Sequence, residues 1–523
     1  MDSKEKEGAM ELTGLQILVK ALEAEGVDTL FIYSGTSAGR IRDALDQSGI
    51  RRVACRHEQG AVHAADGYAR AGEKPGVCLI AAGSNPTSAV TGITAASLDH
   101  IPMVVLIEQE SGRPDGFDGF QEVDILGIAL SCAKHAYQVV RAEEIGPVVQ
   151  EAFSVAVSGR PGPVLIDISP EAGLQKADFV SKPEPATVPR EIPGPDPDAL
   201  AKAVSLINTA SHPILFAGGG VISSRAIEAL REFARKTRIP VTASLMGIGV
   251  FPASDPLWLG MTGIQGISRA QAAAGSCDLL IAVGLCGDTR TIGKTDVFTS
   301  SAKIIHIDED PDALMHEIPI ALPVAGDCRL TLESLTAMMA AGDAEKRTKW
   351  LDYLSQWKIK PPPPFFPEPV IHPRQALEAL FASTKGEALI CAGSRRNQMW
   401  IAQYYPFDAP HLFTPIGLGC PGFGLPAAVG AKIARPDKIV AVVEDASGFQ
   451  VNLQELATAV ELGLPLKIIL LNSERKTPDP LKLAEAYGLS AIRAEKPEEI
   501  ESALQQALEV KGKPVVVEFV ITP

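Results

Sequence analysis

A glutamate at the start of a predicted helix is the first candidate for acid–base chemistry. Glu58 lies in the segment CRHEQGAVHAADGYAR, just after a strand-like segment that ends near Val53, and it begins a helix rich in Ala. A carboxylate at a helix N-terminus is stabilised by the helix dipole. The residues themselves therefore leave two interpretations open, a partner of the helix dipole or a functional acid at a strand end.

Glycines follow a predicted strand in the middle of the chain. The segment FAGGGVISSRA places Gly218, Gly219 and Gly220 between a strand and a helix, where backbone N–H groups and the helix N-terminus favour a phosphate. A triple glycine is equally typical of a tight turn. The phosphate interpretation is strengthened by further glycines and polar residues at later strand ends, namely Gly263, Gln265, Gly266, Gly284, Asp288, Arg290, Asp308, Asp310, Gly326 and Asp327.

Two adjacent arginines, Arg395 and Arg396, follow a predicted strand in the last third of the chain. They have two interpretations. They could fill a buried pocket and pair with Glu58 or Glu444, since an ionised carboxylate away from water needs a partner. Alternatively, they could hold an anionic substrate by bidentate hydrogen bonds.

Short apolar runs precede these candidates and predict the fold. Runs such as GVCLIA, PILFA and KIVAVV show no polar alternation, which is typical of parallel strands buried on both faces. Ligands of such sheets bind at the carboxyl ends of the strands. Two proline-rich segments, KPEPATVPREIPGPDP and KPPPPFFPEPVIHP, divide the chain. The sequence predicts an α/β protein with three doubly wound parallel-sheet domains, at 11–181, 198–342 and 372–523.

Length and composition exclude several classes of protein. The chain has 523 residues, 46% of them hydrophobic and 21% charged, so it can bury several cores. Its net charge of −15, with no Lys/Arg block, argues against nucleic acid as a ligand. The eight cysteines include no CxxC pair, which favours buried free thiols. With no secretory signal and no apolar run long enough to span a bilayer, we expect a cytoplasmic protein without membrane contact.

The ordered motifs resemble those of thiamine-diphosphate enzymes, most closely acetohydroxyacid (acetolactate) synthase. CRHEQGAVHAADGYAR resembles the first domain of that family, GFDGFQEVDILGIALSCAKHAY its substrate loop, and GLGCPGFGLPAAVGAKIA its third domain. The resemblance implies a pyrimidine-type first domain, a central FAD-binding domain and a diphosphate-type third domain. In the family, the residue equivalent to Glu58 bonds the cofactor's aminopyrimidine and drives ylid formation. The same resemblance implies that Phe120, Gln121 and Lys134 contact the substrate.

The glycine-rich and acidic segments of the middle domain resemble the FAD-binding segments of acetohydroxyacid synthases. By that resemblance Arg290 would meet the diphosphate or the flavin, while Asp308 and Asp327 would accept hydrogen bonds from hydroxyl or adenine donors. Gln265 stands where the family commonly has a His. The resemblance therefore implies an intact FAD site.

The third domain departs from the family pattern at the thiamine diphosphate site. Relatives have a GDG-type turn whose Asp binds Mg²⁺, whereas this chain has VEDASGFQVNLQEL. The metal-binding Asp aligns with Ala446 without a gap, or with Asp445 if one residue is inserted. Ser473 occupies the position of the second metal ligand, the lid that follows Asn472 in relatives is missing, and Glu444 brings negative charge toward a diphosphate. Together these changes predict that the chain has lost thiamine diphosphate and Mg²⁺.

We therefore expect an FAD flavoprotein on an acetolactate-synthase-like fold, without a metal site, that uses its flavin on a small carboxylate or carbonyl substrate. Its pocket would be lined by Glu58, Phe120, Gln121, Lys134, Arg290, Arg395 and Arg396. An alternative is a carboligase of 2-oxo acids that depends on thiamine diphosphate and Mg²⁺, with Asp445 and Asn472 as metal ligands. A second alternative is a non-catalytic paralogue. The resemblance further implies a homodimer or homotetramer, because relatives build each active site between two subunits.

Overall fold

The strands of the computed structural model form three six-stranded parallel sheets and one antiparallel pair. This confirms the predicted class of three α/β domains with parallel sheets. No helix of the residues that the structure describes is long and apolar enough to cross a membrane. Those residues are 10–33, 39–81, 85–108, 123–179, 194–263, 266–285, 302–310, 319–340, 344–357, 370–393, 395–473 and 478–521.

The first domain is built on a sheet with the strand order β3-β2-β4-β5-β7-β6, beside which β1 and β8 pair antiparallel. The strands are β1 (Met10–Thr13), β2 (Thr29–Tyr33), β3 (Arg51–Ala54), β4 (Gly76–Ala81), β5 (Met103–Glu108), β6 (His135–Val139), β7 (Pro163–Ile168) and β8 (Lys176–Phe179). The helices are α1 (Gly14–Ala24), α2 (Gly39–Asp46), α3 (Glu58–Gly72), α4 (Asn85–Leu98), α5 (Ile125–Ala129), α6 (Ala142–Val157) and α7 (Pro170–Leu174).

Both faces of this first sheet are covered, which explains the continuous apolar runs. Leu30 and Ile32 of β2 belong to a core that includes α1 and α6. The residue between them, Phe31, belongs to a different core that includes α3 and α4. Successive side chains of a strand point to opposite faces, so a strand covered on both sides has no polar position to alternate.

The central domain has the strand order β11-β10-β9-β12-β13-β14. Its strands are β9 (Pro213–Ala217), β10 (Val241–Ala243), β11 (Trp258–Met261), β12 (Leu279–Val283), β13 (Lys303–Asp308) and β14 (Leu322–Ala325). Its helices are α8 (Pro197–Thr209), α9 (Gly220–Ser223), α10 (Ile227–Thr237), α11 (Ser268–Ser276), α12 (Cys328–Met338) and α13 (Ala344–Ser355), and a 3₁₀ turn spans Leu245–Gly247.

The third domain has the strand order β16-β15-β17-β18-β20-β19. Its strands are β15 (Leu389–Cys391), β16 (Leu412–Phe413), β17 (Val440–Glu444), β18 (Lys467–Asn472), β19 (Ser490–Ala494) and β20 (Val515–Val520). Its helices are α14 (Pro373–Thr384), α15 (Arg395–Tyr404), α16 (Gly424–Ala434), α17 (Ala446–Val451), α18 (Glu455–Glu461), α19 (Pro480–Ala486) and α20 (Ile500–Glu509), and a 3₁₀ turn spans Pro497–Glu499.

The first and third domains share one hydrophobic core. It joins apolar side chains of α3, such as Val62, to side chains of the third domain such as Phe423 and Leu456. The helices α3 and α16 cross at backbone distance, because a Cβ on Gly67 would lie 2.0 Å from the Ala427 carbonyl oxygen. The carboxyl ends of β3 and of the third sheet are thereby brought to one boundary between the two domains.

Candidate active site

The junction between β3 and α3 places Glu58 at the boundary with the third domain. His57 caps α3, since its Nδ1 accepts a hydrogen bond from the Gln59 N–H at 3.1 Å. Glu58 is buried, with 4% of the residue exposed. Its Oε2 lies 3.6 Å from His57 Nδ1, but a ring nitrogen that accepts a hydrogen bond carries no proton. The contact is therefore not an ion pair.

A second buried carboxylate, Glu455 of α18, holds the same junction from the third domain. Its Oε1 accepts hydrogen bonds from the Arg56 N–H at 3.0 Å and the His57 N–H at 3.1 Å. Its Oε2 accepts from the Thr458 hydroxyl at 2.8 Å, and that hydroxyl also reaches the Ala54 carbonyl oxygen at 3.2 Å. The third domain thus binds the backbone that leads into Glu58.

Burial sets the protonation of Glu455. Desolvation raises the pKa of this carboxyl to about 7, although the hydrogen bonds from Thr458, Arg56 and His57 oppose the rise. The residue is 1% exposed. A proton-binding group with a pKa near neutrality therefore lies at the N-terminus of the helix that carries Glu58.

The ends of two neighbouring strands of the third sheet carry oxygen ligands of the kind that Mg²⁺ takes. Asp445 follows β17 and caps α17, accepting from the Gly448 N–H and the Ser447 hydroxyl, both at 2.7 Å. Asn472 ends β18, and its amide Nδ2 donates to Glu518 at 2.8 Å. This hydrogen bond fixes the orientation of the amide, so its oxygen is left as an acceptor.

Three glycines surround the carboxylate of Glu444 at the end of β17. A Cβ built on Gly393, Gly424 or Gly448 would lie 2.5, 2.7 or 2.4 Å from a Glu444 oxygen. Oε1 of this fully buried residue accepts from the Gly424 N–H at 3.2 Å, at the N-terminus of α16. The carboxyl group of Glu444 therefore occupies the space that these glycines leave open.

Arg395 and Arg396 are both exposed on the first turn of α15. The guanidinium of Arg396 lies 5.8 Å from the ring centroid of Trp400. The ion pairs among the residues that the structure describes do not join either arginine to Glu58 or Glu444. Of the two interpretations, the structure gives no support to pairing with those buried carboxylates, and anion binding stays a prediction.

Lys134 lies on the surface, where its ammonium donates to the carbonyl oxygens of Val155, at 2.6 Å, and Ser158. These carbonyls end α6, so the contact is the favourable one between a cation and a helix C-terminus. The other two residues of the predicted substrate loop, Phe120 and Gln121, lie outside the described residues. The role of the loop in substrate binding stays a prediction.

The triple glycine of the central domain packs backbone against backbone. The Gly220 N–H donates to the Gly284 carbonyl oxygen at 2.9 Å, and the Gly218 N–H to the Val283 carbonyl oxygen at 2.9 Å. Gly284 has a φ of +55°, and a Cβ there would lie 2.6 Å from the Gly220 Cα. Two of the three N–H groups are therefore already used between the ends of β9 and β12.

The acidic residues predicted for the central site also have local partners. Asp308, which ends β13, accepts from the Asp310 N–H at 3.1 Å, and burial raises its pKa to about 6. Asp310 forms an ion pair of 3.1 Å with Arg160 of the first domain. Asp327 caps α12 by accepting from the Leu330 N–H at 2.9 Å. The described glycines Gly219, Gly263, Gly266 and Gly326 lie at strand ends or in the turns that follow them, whereas Gln265, Asp288 and Arg290 lie outside the described residues.

Sequence reasoning missed a buried ion network between the first and third domains. Arg70 donates to Asp66 at 2.5 Å, to Asp99 at 2.7 Å and to the Thr414 carbonyl oxygen at 3.3 Å. Asp99 also accepts from the Gly417 N–H at 2.7 Å. A signal was present in the sequence, because Asp66 and Arg70 are spaced i, i+4 in a helix that otherwise consists largely of small residues. Glu455 gave no comparable signal, since its partners lie almost 400 residues away.

Comparisons with known proteins match all three domains. The family model of the thiamine pyrophosphate enzyme N-terminal binding domain matches residues 12–128, the central domain 200–335, and the C-terminal binding domain 396–476 and 473–519. The chain is 37% identical to the acetolactate synthase large subunit of Haemophilus influenzae, covering 97% of this chain and 94% of that protein. It is 37% identical to the acetolactate synthase isozyme 2 large subunit of Escherichia coli K12, over 96% and 94%. A probable acetolactate synthase large subunit of Methanocaldococcus jannaschii is 36% identical, over 98% and 92%.

The fold and the matched domains define a three-domain enzyme of the thiamine pyrophosphate class. The chain shares 36–37% sequence identity with acetolactate synthase large subunits over 96–98% of its length, which identifies the family within that class. The chain belongs to the acetohydroxyacid (acetolactate) synthase family.

The comparisons correct the predicted function and cofactors. The prediction that the chain has lost thiamine diphosphate and Mg²⁺ and works through a flavin is wrong, because both thiamine pyrophosphate binding domains match their family models. The Haemophilus influenzae and Escherichia coli relatives are acetolactate synthase large subunits, and the match covers 94% of each. The error came from the weight given to the combined departures from the family pattern, whereas Asp445 and Asn472 still stand at the ends of neighbouring strands.

Proposed function

We propose that the chain is a thiamine-diphosphate- and Mg²⁺-dependent carboligase that joins two 2-oxo acids, as an acetolactate synthase does. The observation that carries the proposal is the position of Glu58. It is a buried carboxylate at the start of a helix, on the boundary between the two domains whose family models are both named for thiamine pyrophosphate binding. The similarity to acetolactate synthases supports the same reaction.

The donor set at the third sheet fits the metal and diphosphate end of the cofactor. Asp445 supplies a carboxylate and Asn472 an amide oxygen, at the ends of the adjacent strands β17 and β18. Mg²⁺ that binds a phosphate needs only one or two protein carboxylates and keeps several other oxygen ligands. An ionised Glu444 would oppose a diphosphate, and a bound Mg²⁺ would compensate for that charge.

The residues of the first domain would provide the proton chemistry. When bound, thiamine diphosphate supplies carbanion chemistry that side chains lack. Glu58 would hold the proton that is exchanged with the cofactor's aminopyrimidine, and its burial keeps water away from that exchange. Glu455 and the cap by His57 would keep the Glu58 backbone in place.

The variant Glu58→Gln tests the proposal. It removes the proton-binding group and keeps the shape of the side chain, so we expect kcat for acetolactate formation from pyruvate to fall by roughly 10²- to 10⁴-fold. Calorimetric titration should show that thiamine diphosphate with Mg²⁺ still binds. Glu143→Gln is the matched control, because Glu143 is an exposed glutamate in the first turn of α6 in the same domain.

Two outcomes would contradict the proposal. Wild-type protein that binds no thiamine diphosphate in the presence of Mg²⁺ would exclude the cofactor. Acetolactate formation that survives Glu58→Gln within a few fold would exclude the role of Glu58.

The proposal includes a small carboxylate substrate and a homodimer or homotetramer. Exposed apolar side chains at the boundary of the first and third domains support an interface there, since Leu98, Leu418 and Val451 are 50%, 38% and 47% exposed. Light scattering on the purified chain measures the mass of the assembly. FAD binding by the central domain stays a prediction that the comparisons do not test.

A further inference from the structure

One side of α18 is packed against the turn that leads into α3. The polar residues Glu455, Thr458 and Glu461 are spaced i, i+3 and i+6, which places them along one side of the helix. Each contacts the segment from Ala54 to His57. Glu455 and Thr458 bind its backbone, and Glu461 forms an ion pair with the Arg56 guanidinium.

Glu455 contacts the helix that carries Glu58 more closely than a surface residue could. A Cβ built on Gly60 would lie 2.2 Å from the Glu455 Oε1. Glycine at this position therefore allows the carboxylate to approach the first turn of α3. The two peptide N–H groups that Glu455 accepts belong to Arg56 and His57, the residues directly before Glu58.

A packing role alone does not account for a carboxylate at this site. Glu455 is 1% exposed, and desolvation of a carboxylate is costly. An apolar side chain of similar volume would fill the same space without that cost. What the carboxylate adds is the pair of hydrogen bonds that fixes the backbone before Glu58.

We propose that Glu455 is a positioning residue of the third domain that holds Glu58 of the first domain in its working orientation. The inference rests on the proposed function, because it assigns Glu58 the proton transfer described above. Its consequence is that the place of the acid in the first domain is set by the third domain of the same chain.

Three variants test the inference in the full-length protein. In Glu455→Ala we expect kcat for acetolactate formation from pyruvate to fall by roughly 10- to 100-fold with KM within about threefold, since small misplacements of a catalytic group have such effects. Glu455→Gln keeps an oxygen that accepts from both N–H groups, so it should restore most of the rate. Glu461→Gln is the matched control on the same helix, with its carboxylate 60% exposed, and should stay within about twofold of wild type.

Amide hydrogen exchange of residues 56–61, measured on the protein without cofactor, gives a readout that is independent of activity. We expect faster exchange in Glu455→Ala, near-normal exchange in Glu455→Gln and unchanged exchange in Glu461→Gln. If Glu455→Ala does not fold, Glu455→Asp replaces it, because the shorter side chain withdraws the carboxylate from both N–H groups while keeping the charge.

The outcomes separate this inference from the proposed function. Unchanged exchange in Glu455→Ala, or faster exchange with an unchanged kcat, overturns the positioning role. If the wild-type chain forms no acetolactate, the proposed function fails. In that case the exchange of residues 56–61 alone supports or overturns the positioning of the turn that carries Glu58.

Discussion

Arg70 carries a buried positive charge where the first and third domains meet. The arginine side chain is 6% exposed, and those of its partners Asp66 and Asp99 are 0% and 2% exposed. Burial works against the charge of Arg70, but the two carboxylates outweigh it and raise the pKa of the guanidinium. Burial also raises the pKa of Asp66, and the charge and hydrogen bonds of the arginine oppose that rise. Each member of the network depends on the others.

Removal of the arginine should therefore be costly. We expect Arg70→Met to lower the free energy of unfolding by about 3–5 kcal/mol, because two buried carboxylates lose their partner. Urea unfolding near pH 7 measures this difference. The control is Arg141→Met, since Arg141 is 61% exposed in its ion pairs and should contribute at most about 1 kcal/mol. Equal effects of the two variants would mean that the network is not buried in solution.

At the scale of elements, the contact between α3 and α16 depends on residues without side chains. A Cβ on Gly430 would lie 1.8 Å from the Ala64 carbonyl oxygen and 2.7 Å from the Tyr68 nitrogen. Backbone atoms cannot rotate away as a side chain can, so any side chain here separates the helices. Because α3 carries Glu58 and α16 begins beside the glycines around Glu444, this contact sets how the first and third domains of one chain pack against each other.

Substitution of the two glycines along this contact should have opposite effects. We expect Gly430→Ala to destabilise the protein by roughly 1–3 kcal/mol through overpacking. In Gly72→Ala, at the C-terminal end of α3, the new Cβ would lie 3.4 Å from the Ala434 Cβ, which is an ordinary contact. That variant should be neutral or gain up to about 1 kcal/mol from helix propensity. Thermal melts of both variants test the pair, and a stable Gly430→Ala protein would show that the helices are not in close contact.

At the scale of the whole molecule, the candidate residues come from two domains that share one core. Glu58 belongs to the first domain, whereas Asp445, Asn472 and Glu455 belong to the third. A ligand that binds both domains of the folded chain, and not the unfolded chain, raises the free energy of unfolding. The central domain contributes its own core and meets the first domain through the ion pair of Arg160 with Asp310.

Thiamine diphosphate with Mg²⁺ should therefore stabilise the first and third domains together. At 100 times its Kd we expect a gain of about 2.7 kcal/mol, visible in differential scanning calorimetry as a higher melting temperature of one shared transition. Thiamine at the same concentration is the control, because it lacks the diphosphate that would bind the third domain. An identical shift with thiamine would show that the third domain does not bind the diphosphate.

The amino-acid sequence by itself determined the fold class and the family. Central strands such as β5, β9 and β17 were predictable because each is an apolar run whose burial on both faces is a local property of the residues. The position of Glu58 at a strand end was also predictable, because the strand, turn and helix around it are encoded by neighbouring residues. The eight cysteines were predicted to be buried free thiols, and those that the structure describes are.

Only the tertiary structure decided which distant residues meet. Glu455 and the Arg56 N–H are separated by 399 positions, and Asp99 and the Gly417 N–H by 318. No local periodicity reports such pairs, because they arise from the packing of whole domains. The wrong prediction for thiamine diphosphate arose from departures at aligned positions, and the match of whole domains to the family models corrected it. In an alignment, a shift of one residue decides whether Asp445 or Ala446 matches the metal-binding Asp of relatives. In the structure, the ends of β17 and β18 lie side by side because hydrogen bonds between the strands hold them there.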